Sequence, residues 1–396
     1  MHDAQSQLFI IEHANDDVRT LALQAAKFPH VDITWALRQI AGRQYITRKM
    51  PQWAKLENIE YPDHLPLEQC SSEQTAMYKR EIVSRLLQNV TAEHTRLVDL
   101  TGGLGIDFSV LAPLFTEAVY VERNAELCRL AQHNFSVLNL EHISIKNADS
   151  IDVLQSENAI TVCFIDPARR DGKGQKKFAL CDCSPNVVPL VKQLLQKATF
   201  VLLKLSPMLD WKLAVAQLNA EEPCVSEVHV VAVENECKEL LLLLHKNSDK
   251  IGYFCVDDAQ ISFSETDLSL PQTIAPQLEA GMFLYEPNAS LMKLGAFGAI
   301  CQRFGVAALD NNSHLFVSRD LKNDFLGRKF TISAISSLNK QEIKRLGISQ
   351  ANIATRNFPM SVSDLRKRLK MREGGENYLF ATTYDNQHVL LVCRKQ

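Results

Sequence analysis

Val98-Asp99-Leu100-Thr101-Gly102-Gly103-Leu104-Gly105-Ile106-Asp107 is the stretch that decides how this chain folds. Apolar Leu97 leads into it, and Phe108-Ser109-Val110-Leu111-Ala112 follows with helical spacing. The pattern predicts a short buried strand, a glycine-rich turn and a helix start. Glycine tolerates positive φ and, lacking Cβ, lets a ligand approach the backbone. The N–H groups of the helix start then point at a ligand. Taken alone, the turn is equally what an ordinary tight strand-to-helix connection needs.

Three more strands run into acids. Ala118-Val119-Tyr120-Val121-Glu122 ends about 20 residues past the turn, where a doubly wound α/β sheet places the acid for ribose hydroxyls. Ile143-Ser144-Ile145-Lys146-Asn147-Ala148-Asp149 is the third strand. Thr161-Val162-Cys163-Phe164-Ile165-Asp166-Pro167-Ala168-Arg169 is the fourth. In such sheets ligands sit outside the carboxyl ends of the strands, so four acids at that edge point to a site. Residues 199–206, 228–233 and 239–245 supply three further strands, the last two as a hairpin.

The spacing Asp99-x-x-x-Gly103-x-Gly105, then Glu122, Asp149 and Asp166-Pro167, resembles the class I S-adenosylmethionine-dependent methyltransferases over roughly residues 97–246. The resemblance implies a Rossmann-like α/β sheet of seven strands. It implies that the loop with Asp99, Thr101, Gly103 and Gly105 holds the methionine part of the cofactor. Glu122 would hold the ribose and Asp149 the adenine. Asp166 and Pro167 would face the methyl group and the substrate, with Arg169 beside them. Gln39-Ile40-Ala41-Gly42-Arg43-Gln44, Asp166-Pro167-Ala168-Arg169-Arg170 and Leu365-Arg366-Lys367-Arg368-Leu369-Lys370 are similar to a bacterial group with a C-terminal THUMP-like domain. That likeness makes the weakly patterned stretch before this domain ferredoxin-like. Ser72 and Thr75 match a segment that closes over the cofactor in several RNA methyltransferases.

Two departures narrow the chemistry. Relatives that methylate pyrimidine C5 carry a cysteine after the fifth strand, where this chain has Lys204-Leu205-Ser206-Pro207-Met208. Amino methyltransferases follow the acid with Pro-Pro and an aromatic, where this chain has Pro167-Ala168-Arg169. Asp166 can accept a hydrogen bond from an attacking amine or hydroxyl, or act as base. Arg169 and Arg170 can hold a phosphate.

With 46% hydrophobic and 22% charged residues, the 396-residue chain has the composition of a soluble globular protein. It holds no apolar run long enough to span a membrane. The ten cysteines include no C-x-x-C, so no zinc or other metal site is expected, and free thiols fit the cytoplasm. Charge is uneven. Residues 321–396 carry 14 Lys and Arg against 6 Asp and Glu, a balance of +8 in a chain of −3 overall. A basic terminal domain on an acidic body suggests an anionic partner.

Four segments are expected: a mainly helical region (1–91), the cofactor domain (92–250), a small α+β domain (251–320) and the basic domain (321–396). In the first, Asp17 and Asp32 are placed to cap helices. Arg38, Arg43, Arg48 and Lys49 lie off the apolar face, as a solvated face or a nucleic-acid surface. Pro51-Gln52-Trp53, Tyr61-Pro62 and Leu65-Pro66 suggest extended chain. Ser71 with Gln74 fits a capping box. After the fourth strand, the loop holding Arg170 and Lys173 is basic and suits phosphates, and Ser184-Pro185 suggests the next helix start. Residues 288–304 suggest one helix. In the last segment, Ser363 or Ser361 caps a helix bearing Arg366, Lys367, Arg368 and Lys370. These four suit contacts to an RNA backbone.

The expected activity is methyl transfer from S-adenosylmethionine to RNA, tRNA or rRNA, with the terminal domain gripping the RNA. The alternatives are a non-catalytic RNA-binding protein that keeps the fold, and a protein or small-molecule methyltransferase. The sequence is silent on the base methylated and on oligomeric state.

Overall fold

The computed structural model describes residues 4–169 and 180–396. The chain forms two compact units, Met1–Ser226 with Leu240–Asp249 and Glu227–Glu239 with Lys250–Gln396. Seven strands matter for the site: β1 (Arg96–Asp99), β2 (Glu117–Glu122), β3 (Ile143–Asn147), β4 (Ile160–Ile165), β5 (Ala198–Leu205), β6 (Val225–Val233) and β7 (Glu236–Leu244).

In the first unit the strand order is β3-β2-β1-β4-β5-β7. All pairs are parallel except β5 with β7. From β1 the chain steps outward to β2 and β3, then returns to the other side of β1 as β4. The strand order therefore reverses between β1 and β4, the place where open α/β sheets form a ligand crevice. Every residue of β4 is buried, as are Leu97, Val98 and Asp99 of β1. That continuous burial is the mark of parallel strands covered on both faces.

Glycine at 102 and 105 answers to packing. A Cβ on Gly102 would lie 2.1 Å from the Tyr120 ring. Gly105 has φ +83°, and a Cβ there would lie 2.7 Å from Phe135. The close approach expected of a ligand at Gly102 is thus made by a side chain of β2. The Tyr120 hydroxyl also donates to the Gly103 carbonyl at 2.5 Å.

The N-terminal region is helical, as expected, with three local differences. Of the prolines read as extended chain, Pro62 lies outside any helix, but Pro51 and Pro66 sit in helices. Pro51–Lys55 opens on its proline, and His64–Gln69 carries Pro66 in its first turn. Proline is tolerated there because the first N–H groups lack helical partners anyway. The helix Glu73–Leu87 is capped by Ser72, which accepts from Thr75 N at 3.3 Å, rather than by Ser71. Lys49 is not a free basic group, since its ammonium donates to the carbonyls of Leu67 and Glu68 at the end of His64–Gln69. Asp17 and Asp32 cap their helices as expected. After β4, the segment from Ser184-Pro185 does not open a helix. The next helical turn is Val188–Leu190, with Pro189, leading into the helix Val191–Lys197.

In the second unit β6 pairs in parallel with Gly252–Val256, which pairs antiparallel with Gln260–Phe263. A seven-stranded sheet follows, built on the antiparallel neighbours Phe283–Pro287, Gly327–Ser336, Gln387–Lys395 and Asn377–Tyr384. Asn352–Thr355 joins its edge in parallel. The single helix expected over 288–304 is two, Ala289–Leu294 and Phe297–Phe304, because Gly295 adopts φ +80° and stops the first. Ser361, not Ser363, caps the basic helix Val362–Leu369, whose Leu365 and Leu369 pack inward. All ten cysteines are free thiols. No helix among the described residues is long and apolar enough to cross a membrane.

Candidate active site

Three of the four expected acids converge where the sheet order reverses. Asp99, at the end of β1, is 1% exposed, and its Oδ1 accepts from Thr101 N at 2.9 Å. Burial pushes its carboxyl well above the usual carboxylate range, against the pull of the Thr101 N–H. The carboxylates of Asp107, Asp166 and Glu122 push it the same way. Thr101 Oγ1 accepts from Asp166 N at 2.6 Å, which ties the turn after β1 to the end of β4. Glu122 closes the other side. Its Oε2 accepts from Gly103 N at 3.0 Å and its Oε1 from Asn124 N at 2.8 Å. Each oxygen retains lone-pair capacity for a further donor.

The fourth acid, Asp149, caps the helix Ser150–Ser156 after β3 and accepts from Ile151 N at 2.8 Å. Asn147 donates from its side chain to the Glu122 carbonyl at 3.0 Å. Pro167 follows Asp166, and Ala168–Arg169 pairs with Cys183–Ser184 as a two-residue ribbon. Arg170 and Lys173 lie outside the described residues. Thr75 is buried and its hydroxyl donates to the carbonyl of Ser72. In the second unit Lys367, Arg368 and Lys370 are exposed. Arg366 is half-buried, 3.5 Å from Glu373 and donating to the Ala351 carbonyl at 3.4 Å.

Sequence reasoning missed a charged chain behind the glycine turn. Lys204, in β5, is 8% exposed and places its Nζ 2.6 Å from Asp166 Oδ2 and 3.7 Å from Asp107 Oδ2. Asp107 lies in the first turn of the helix Ile106–Leu111. Its other oxygen is 3.2 Å from Nζ of Lys79, a fully buried lysine of Glu73–Leu87. Ser71 Oγ donates to Asp107 Oδ2 at 2.7 Å and accepts from Lys79 at 3.2 Å. Burial works against the Asp107 carboxylate, but Lys79 and Lys204 outweigh it and hold the carboxyl below its usual range. The signal was present in the sequence. Lys204 interrupts Phe200-Val201-Leu202-Leu203, and Lys79 falls on the apolar stripe of its helix. A lysine in such a position must be paired.

The donors and acceptors fit S-adenosylmethionine. A carboxylate with spare acceptor capacity suits a pair of ribose hydroxyls, and an acidic edge suits a sulfonium. The two lysines nearest the edge are neutralised by Asp107 and Asp166. Among the described residues no three His, Cys, Asp or Glu side chains are grouped to hold a metal.

The chain matches two protein families, "THUMP domain-like" over residues 327–395 and "ferredoxin-like domain" over residues 283–325. No curated protein matches it. Among solved structures it is similar to a "putative methyltransferase from Porphyromonas gingivalis W83", with 31% identity and a TM-score of 0.81. That match covers 100% of this chain and 99% of the other. A SAM-dependent methyltransferase from Agrobacterium tumefaciens shares 14% identity over 43% of this chain and 61% of its own, at a TM-score of 0.32. The tRNA (m1A58) methyltransferase TrmI from Aquifex aeolicus shares 19% identity over 35% of this chain and 48% of its own, at a TM-score of 0.26. The full-length match and the two C-terminal matches show that this chain belongs to a methyltransferase family with ferredoxin-like and THUMP-like domains at the C-terminus.

Proposed function

We propose that this methyltransferase uses S-adenosylmethionine to methylate RNA, tRNA or rRNA, in the reducing cytoplasm, and that its terminal domain binds the RNA backbone. The observation that carries the reading is the convergence of Asp99, Glu122 and Asp166 on one glycine turn, linked by Thr101 and Gly103. In this reading Asp99, Thr101, Gly103 and Gly105 form the methionine side of the pocket, Glu122 takes the ribose hydroxyls and Asp149 the adenine. Ser72 and Thr75 border it. The cofactor supplies an electrophilic methyl group: a bond from the nucleophile to carbon forms as the carbon–sulfur bond breaks, leaving a thioether and releasing one proton. Asp166 accepts the hydrogen bond of the attacking amine or hydroxyl and receives that proton. Pro167 fixes the backbone after it, and Arg169 and Arg170 are placed by sequence to meet a phosphate. Most of the rate gain would come from holding the nucleophile in line.

The basic balance of residues 321–396 and the THUMP domain-like match support RNA as substrate. Exposed Lys367, Arg368 and Lys370 provide backbone contacts, with Lys173 and Arg366 assigned to the same role. The test is calorimetry of S-adenosylhomocysteine with wild type, Asp99→Ala and Glu122→Ala, followed by transfer of tritiated methyl groups to RNA fractions. Wild type should bind, and each variant should lose at least about tenfold in affinity, the worth of one charge-assisted hydrogen bond. Folded variants with unchanged affinity would refute the pocket.

A further inference from the structure

We propose that Lys204 is a positioning residue for methyl transfer: its ammonium bridges Asp166 at the substrate edge to Asp107 at the glycine turn, and so fixes the direction of the accepting carboxylate. This rests on Asp166 being the acceptor, as proposed above.

The geometry is a chain of alternating charge, Lys79–Asp107–Lys204–Asp166, with steps of 3.2, 3.7 and 2.6 Å. Its inner end is fully buried, while the Asp166 side chain at the outer end is 36% exposed. Among the described residues, the charged groups facing Asp166 are Lys204 from β5, Asp99 from β1 and, across Lys204, Asp107. Lys49 and Cys70 of the N-terminal helices lie behind Lys204. Fold stability alone does not account for this lysine, although Lys204 supports the Asp107 carboxylate. Buried ion pairs are commonly replaced by apolar residues at no cost, and β5 is otherwise apolar from Phe200 to Leu205. What the lysine adds is a fixed donor on one oxygen of Asp166, leaving the other oxygen to the substrate. Because Lys204 is held by Asp107, and Asp107 by Lys79 and Ser71, the helix Glu73–Leu87 helps set where Asp166 points.

The test uses the full-length protein and compares wild type, Lys204→Met, Lys204→Arg and Asp166→Asn. The carbon-13 signal of the Asp166 carboxyl is recorded without cofactor at one neutral pH, and methyl transfer to RNA is followed at the same pH. In Lys204→Met that signal should shift and broaden, because the carboxylate loses its fixed donor. The value of kcat should fall about 100-fold, the cost of a misplaced group, at unchanged S-adenosylhomocysteine affinity and RNA KM. Lys204→Arg should recover part of the loss, and Lys204→Met should add nothing to Asp166→Asn. If Lys204→Met does not fold, Lys204→Gln replaces it. Wild-type kcat with an unmoved Asp166 carboxyl signal in the variant would overturn the proposal alone. A wild type that neither binds the cofactor product nor transfers methyl would overturn the reading of the site, while the Asp166 carboxyl signal would still decide what Lys204 does.

Discussion

The two regions whose charges the proposed function uses handle them in opposite ways. At the edge of the parallel sheet, Asp107, Lys79 and Lys204 are buried and held by charged partners within a few ångströms. On the helix Val362–Leu369, Lys367 and Arg368 stand in solvent above an apolar stripe of two leucines. Buried charge is costly to unpair, about 3–5 kcal/mol when one partner is lost. It therefore fixes position. Exposed charge is worth about 0–1 kcal/mol to the fold and is screened by salt. It therefore acts at range on a partner and tolerates change. A methyl transfer needs the first kind where bonds change and the second where a polyanion is gathered.

The largest effect should come from breaking the buried set. Asp107→Ala leaves Lys79 and Lys204 without their shared carboxylate and should cost about 3–5 kcal/mol in urea denaturation near neutral pH. The pH dependence has a definite sign. The Asp107 carboxyl titrates lower in the folded protein than its ordinary 3.8, because the two lysines outweigh burial. Its contribution is therefore complete above the unfolded value and is lost as pH falls through the folded one. Asp107→Asn should flatten that acid-side loss. If Asp107→Ala near neutral pH costs no more than a surface substitution, the contrast between the two regions disappears.

Next in size is the glycine turn. Gly102→Ala drives a Cβ into the Tyr120 ring, 2.1 Å away, and should cost about 1–3 kcal/mol as overpacking. Shortening the ring with Tyr120→Leu in the same chain should relieve part of it. Additive losses would show that the turn resists Ala for another reason. This position also shows what a sequence can and cannot convey. The turn, the acids and the succession of strands were legible because apolar runs ending in Asp or Glu recur in a one-dimensional pattern. The partner of Gly102 was not, because Tyr120 meets it only once β2 lies beside β1. The same holds for Ser71, which looks like a cap but serves Asp107 across 36 residues of chain. Pro51 and Pro66 misled because proline breaks a helix interior yet fits a first turn, and which applies depends on where neighbouring helices end.

The smallest effect on the fold, and the sharpest test of the exposed region, comes from reversing its charges. Lys367→Glu, Arg368→Glu and Lys370→Glu together should change stability by no more than about 0.5 kcal/mol per site, as surface substitutions do. RNA binding should weaken, and the slope of log K against log salt should fall by about 0.7 for each single-strand phosphate that is no longer neutralised. Cofactor affinity should not move. Arg366 is the internal control. Its half-buried guanidinium faces Glu373 and the Ala351 carbonyl, so Arg366→Ala should register in stability as well as in the salt slope, where the exposed three register in the slope alone. If the triple reversal leaves both RNA affinity and slope intact, the helix is a solvated face, and RNA binding must be sought elsewhere in the chain.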